Sequence, residues 1–163
     1  MIDRRRFMSA TALSGAAVLG GALARPAYAH HADFTSPLIY LSPLSQAGQL
    51  SRCQAEVWFQ ATEDGLYVVT QHDAWRAEAI DKGLTRTRIW VGDVGLWHRS
   101  EGKYLELPSV TFNARREPDA DVHARVLERM GNKYSAEWGT WGPRFRDGLK
   151  NGERVMLHYG RPA

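Results

Sequence analysis

The chain has 163 residues, 21 of them basic and 18 acidic, with a single cysteine, Cys53. Residues 1–29 hold four arginines and one aspartate, so residues 30–163 balance at 17 basic and 17 acidic side chains. That balance removes any global electrostatic case for nucleic acid or an anionic membrane, one cysteine excludes an internal disulfide, and the length suits one domain with one core.

The chain opens Met1-Ile2-Asp3-Arg4-Arg5-Arg6-Phe7-Met8, and a weakly apolar stretch then runs to Leu23. Arg25-Pro26-Ala27-Tyr28-Ala29 follows, with Ala27 and Ala29 as the small residues of a cleavage site. Arg4 to Met8 resembles the twin-arginine export motif. A membrane anchor needs about 20 strongly apolar residues, and Ser14, Gly15, Gly20 and Gly21 dilute this run. Residues 1–29 therefore read as a cleavable signal for the twin-arginine translocase. The mature protein is expected to be periplasmic or otherwise extracytoplasmic, with no stable membrane anchor. His30-His31 would begin it. An amine and an imidazole suit copper, but no third ligand clusters with them, and a plain tail is the favoured reading.

Residues 30–48 read as a lead-in, with a short apolar patch Leu38-Ile39-Tyr40-Leu41 between Pro37 and Pro43. Residues 49–163 read as the folded domain. Arg52 to Ala61 alternates with strand period: Cys53, Ala55, Val57 and Phe59 share one face, and Arg52, Gln54, Glu56 and Gln60 the other. Cys53 thus reads as a small buried apolar residue. Glu63-Asp64-Gly65 is a tight hairpin turn, and Leu66 to Thr70 is the paired strand. A short helix is expected from Ala74 to Lys82, with Asp73 as its N-cap and Gly83 as its stop.

Strand character returns at Thr85 to Val91, at Leu96 to Arg99, and from Lys103 to Ala114 with a bend at Pro108. A second helix begins at Pro118. Its acids Asp119 and Asp121 suit a helix start, and Val122, Val126, Leu127, Met130 and Tyr134 form its apolar stripe. Trp138-Gly139-Thr140-Trp141-Gly142 reads as a loop in which the tryptophans plug one end of a barrel. Pro143 to Leu149 reads as a helical turn, and Glu153 to Tyr159 as the last strand. Strands joined by tight turns make the sheet antiparallel. The fold class is mainly β: a six-stranded barrel with two or three short helices.

Glu56-Val57-Trp58-Phe59, Leu66 to Thr70, Ala74-Trp75-Arg76, Thr85 to Gly92 and Glu153 to Tyr159 together resemble the FMN-binding split β-barrel of pyridoxamine 5'-phosphate oxidase-like proteins. The resemblance spans roughly residues 50–160, read from pattern alone. It implies FMN, or a deazaflavin, at the interface of a homodimer. By position it implies Thr70 and Arg76 as phosphate contacts, with Gln71, His72 and Trp75 beside them and Lys82 further along the helix. A hydroxyl and a guanidinium fork suit a phosphate on chemical grounds too. The turn carries one basic residue where that family often has two, and Asp73 adds negative charge there.

Trp138 and Trp141 with Arg144 also suggest an aromatic wall beside a cation. His72, His98, His123 and His158 lack the spacing of a metal site, and no metal ligand set is assigned. No triad, phosphate loop or paired-carboxylate motif is present, so no catalytic residue is named. The leading expectation is an exported flavin- or deazaflavin-dependent oxidoreductase. The alternatives are a non-enzymatic split barrel that binds a ligand such as haem, and a metal-handling protein using His30.

Overall fold

The computed structural model describes residues 34–161. The twin-arginine segment, its cleavage site and His30-His31 lie outside the described residues. Among the described residues seven strands form one sheet: β1 (Ile39–Pro43), β2 (Ala55–Val57), β3 (Gln60–Thr62), β4 (Gly65–Gln71), β5 (Arg86–Val91), β6 (Ser109–Glu117) and β7 (Arg154–Gly160). Three helices accompany them: α1 (Trp75–Asp81), α2 (Ala120–Lys133) and α3 (Ser135–Asn151). The strand order is β2-β1-β5-β6-β7-β4-β3, and every pair is antiparallel.

The two outermost strands, β2 and β3, are neighbours in sequence. Only Trp58 and Phe59 separate them, yet β2 pairs with β1 at one edge and β3 with β4 at the other. One bent segment therefore serves both edges of the sheet and curls it into a split barrel. With β2 and β3 counted as halves of one strand, the expected six strands are present, but their membership differs. The lead-in patch supplies β1, whose five residues are all buried. Leu96 to Arg99 and Lys103 to Leu107 are not strands. They hold the 3-10 turns Trp97–Arg99 and Lys103–Glu106. Tyr104 anchors that excursion by stacking on Tyr40 at 5.4 Å, and the Tyr40 hydroxyl donates to the Gly95 carbonyl at 2.6 Å.

Strand alternation sorts the side chains into an inside and an outside. Ile39, Leu41, Leu66, Val68, Ile89, Phe112, Leu157 and Tyr159 fill the barrel, and Ala77 of α1 joins them. Each such apolar side chain stabilises by about 1.5–3 kcal/mol on burial. Tyr67, Val69 and Met156 face outward and are covered by Val126, Leu127 and Met130 of α2, by Tyr134 at its C-cap and by Phe145 of α3. The apolar stripe of the second helix packs as its spacing indicates. Asp119 is that helix's N-cap, accepting from the amides of Asp121 and Val122.

Two local expectations are corrected. Asp73 does not cap α1: the N-cap is Ala74, with no side-chain bond. The Trp- and Gly-rich stretch is not a loop but the first half of α3, a 17-residue helix with Pro143 inside it. Its tryptophans do not plug the barrel. Trp138 and Trp141 pack on the outer cluster, and that burial outweighs the poor helix propensity of the glycines. Gly131 and Gly142 form a slot for Trp138. A Cβ on either would stand under 3.0 Å from its indole, with 2.7 Å at Gly131 and 2.8 Å at Gly142.

Candidate functional site

β4 ends where α1 begins, and this junction holds the residues singled out by the resemblance. Thr70 shares the inward face with Leu66 and Val68 and is buried. Arg76, on the first turn of α1, donates from Nη1 to the Thr70 hydroxyl. The two expected phosphate contacts therefore meet. Arg76 Nε is buried with no hydrogen-bond partner, and so is the Tyr159 hydroxyl inside the barrel. Burial raises the Tyr159 pKa well above the usual phenol value, and the Arg76 charge opposes that rise.

A cleft of about 460 Å3 opens over this pair. Val69, Thr70 and Gln71 of β4, Arg76, and Glu56 and Val57 of β2 line one part. Trp58, Trp141, Phe145 and Arg154 line the rest. The aromatic side is a tight assembly. Trp58 lies flat on Tyr134 at 4.3 Å and 3°, and meets Trp141 edge-on at 6.1 Å and Phe145 at 6.4 Å. Arg154 sits with its guanidinium carbon 5.3 Å from the Phe145 ring centroid. Arg144 stacks on Trp141 at 5.2 Å. The Glu56 carboxylate accepts from the Trp97 amide at 3.2 Å.

The remaining expected site residues divide. Gln71 lines both this cleft and a smaller depression, which it shares with His72, Asp73, Glu153 and Arg154. His72 donates its amide to the Glu153 carbonyl at 3.1 Å, and its Nδ1 lies 3.3 Å from the same oxygen. Trp75 and Lys82 do not line the cleft. Lys82 is exposed, pairs with Glu78 at 3.3 Å and lies over the Trp75 ring at 5.8 Å.

Trp58, Phe145 and Arg154 are not among the site residues that the resemblance implies. Trp58 carried a signal: it is the apolar exception on the polar face of the Arg52 to Ala61 stretch. Arg154 had none, because an arginine opening a strand looks like ordinary surface.

The lining offers flat aromatic surface and two guanidiniums. Those features fit a planar ring system with acidic groups, such as haem or a flavin with its phosphate. Among the lining residues none is His, Cys or Met, so the cleft itself brings no side chain suited to an iron. No cluster of metal-ligating side chains occurs among the described residues, and no helix there is long and apolar enough to cross a membrane.

No protein-family model matches the chain, and no curated protein matches it in sequence. Solved structures do. HutZ, the haem storage protein from Vibrio cholerae, aligns with a TM-score of 0.53 at 17% identity, over 78% of this chain and 82% of that one. ChuZ from Campylobacter jejuni aligns with a TM-score of 0.52 at 12% identity over 78% of this chain. The match spans about half of ChuZ, 48% of its length. A conserved hypothetical protein from Mycobacterium tuberculosis gives a TM-score of 0.52 at 14% identity, over 78% of this chain and 74% of that one. At these identities the likeness establishes the split-barrel fold, and it brings no support for FMN.

Proposed function

We propose that the protein is a non-enzymatic split-barrel carrier for a flat aromatic ligand bearing acidic groups, and that this ligand is haem. One observation carries the reading: Trp58, Trp141 and Phe145 share a single cleft with Arg76 and Arg154. Trp58 and Trp141 would take the ring by stacking and burial. Arg76 and Arg154 would hold its carboxylates by charge-assisted hydrogen bonds, and Thr70 fixes the Arg76 fork. Haem would bring its iron, which a carrier does not need to activate. The haem storage role of HutZ, a protein of like fold, supports this choice.

The Thr70–Arg76 pair supports a second reading, in which it holds the phosphate of FMN or a deazaflavin in an oxidoreductase. On either reading we take the mature protein to be a homodimer outside the cytoplasm, exported by the twin-arginine translocase.

A titration decides between the two. Protein purified from the cytoplasm of export-deficient cells should bind added haemin with a Soret shift and saturate, and should leave FMN unbound. A yellow protein with flavin bands near about 370 and 450 nm that ignores haemin would overturn the carrier reading.

A further inference from the structure

The cleft lies where the ladder between β3 and β4 stops. That ladder pairs Thr62 with Gly65, Ala61 with Leu66 and Gln60 with Tyr67. Continued in the same register, it would set Trp58 against Val69, Val57 against Thr70 and Glu56 against Gln71. All of those residues line the cleft. They stand apart because β2 pairs instead with β1, Val57 with Ile39 and Glu56 with Tyr40. At the branch point the Tyr134 hydroxyl, not β4, bonds the Phe59 amide and carbonyl.

Among the described residues, residues 69–71 therefore have a strand partner on one side, β7, and none on the other. An extended peptide can add to such an edge as a further strand. Its backbone continues the ladder, and its side chains alternate between the two faces of the sheet. The two faces differ chemically here. A side chain opposite Thr70 points to the barrel side, where Arg76 is bonded to Thr70 and its Nε is buried with no acceptor. The next side chain, opposite Gln71, points to the outer side. There Arg154, the cross-strand partner of Gln71, lies against Phe145. Neither arginine forms an ion pair with a carboxylate among the described residues. Glu56, the carboxylate of the lining, stands on the opposite bank and accepts from the Trp97 amide.

We infer that the cleft takes an extended acidic peptide by strand addition to residues 69–71 of β4. Two consecutive acidic side chains are held on opposite faces, one by Arg76 on the barrel side and the next by Arg154 on the outer side. Because the acids are adjacent, the match holds whether the peptide runs parallel or antiparallel to β4. This does not rest on the carrier reading. It adds a protein partner to the same cleft, and a partner supplying such a strand would displace a flat ligand held there.

The probe is the blocked peptide acetyl-Thr-Val-Asp-Glu-Val-Thr-amide, titrated against the purified protein by tryptophan fluorescence and by hydrogen exchange. It should bind saturably and slow amide exchange within residues 69–71. Methylating the backbone nitrogens of its Asp and Glu removes ladder donors and keeps both charges, and should weaken binding by roughly tenfold or more. Replacing the two acids by Asn and Gln should weaken it by a similar factor. Arg154→Ala should discriminate less between the acid and amide peptides, and Arg154→Lys should restore part of the difference. The methylated peptide needs no variant, so the test stands even where a substitution fails to fold. Equal binding of the methylated and unmethylated peptides, slowed exchange only outside residues 69–71, or undiminished discrimination in Arg154→Ala overturns the inference. Haemin is titrated separately, without peptide. Haemin bound and peptide refused overturns this inference and leaves the carrier reading standing; peptide bound and haemin refused does the reverse.

Discussion

The Tyr134 hydroxyl sits 3.0 Å from the Phe59 amide and 2.9 Å from the Phe59 carbonyl. It also lies 2.9 Å from the Pro37 carbonyl. At Phe59 the segment joining β2 to β3 leaves one edge of the sheet for the other, so its backbone has no strand partner. The phenol accepts from the amide and gives its one proton to a carbonyl. Lys133, next to it on α2, adds a second donor to the Phe59 carbonyl at 3.3 Å.

Tyr134→Phe should therefore destabilise the protein by about 1–3 kcal/mol, the cost of leaving a buried backbone group unpaired. The ring packing on Trp58 would survive. Urea denaturation with tryptophan fluorescence measures the loss. A change within error of zero would show that water replaces the hydroxyl.

High pH should weaken the fold through the same residue. Burial pushes the Tyr134 phenol up from 10.0 to about 12. Burial, helped by the hydrogen bond to Asp64, raises Tyr67 to about 12 as well. A phenol whose folded pKa is raised contributes stability that is present below its unfolded value and lost as pH rises through the folded one. The urea midpoint should be flat near pH 8–9 and fall between about pH 10 and 12. Tyr67→Phe should make that fall shallower, and an unchanged slope would rule Tyr67 out as a source.

The glycines of α3 should respond in opposite ways to alanine. Gly142→Ala drives a methyl into the Trp138 indole and should cost about 1–3 kcal/mol as overpacking. At Gly139 nothing lies within 4 Å of a new Cβ, so Gly139→Ala should stabilise by up to about 1 kcal/mol through helix propensity. Thermal melts of the two variants give the comparison directly. A loss at both positions would place the cost in the helix itself rather than in the Trp138 slot.

Ligand retention should separate arginines by location. Arg76→Ala removes the guanidinium bonded to Thr70 and should weaken haemin binding by roughly tenfold. Arg125→Ala, on the exposed side of α2 beside a different hollow, should leave it unchanged. Equal affinities for the two variants would remove Arg76 from the site.

What could be read from the sequence was whatever local chemistry decides. The Glu63-Asp64-Gly65 turn, the β4 strand and the Gly83 stop depend on turn residues and alternation, and they form where the pattern places them. The stripe on α2 depends on helical period, and Val126, Leu127, Met130 and Tyr134 are buried as that period requires. The misread segments are those where distant contacts overrule local preference. Leu38 to Leu41 is too short to announce a central strand, yet pairing on both sides with β2 and β5 makes it one. Trp138 to Gly142 carries loop-like composition, yet the slot for Trp138 and the face of Phe145 hold it helical. At the candidate site, Thr70 and Arg76 were legible because six residues and one turn separate them. Trp58 comes from the β2–β3 segment, far in sequence from Phe145 of α3 and Arg154 of β7, and meets them only in the folded chain.

The place of β7 between β6 and β4 bears on the order of assembly. Without residues 154–160 the sheet is two unjoined pieces, β2-β1-β5-β6 and β4-β3. Each piece then presents a bare strand edge to whatever is nearby. A chain emerging from the ribosome keeps those edges open until β7 has appeared. Closure is thus a late, long-range event, of the kind that folds slowly and benefits from chaperone shelter.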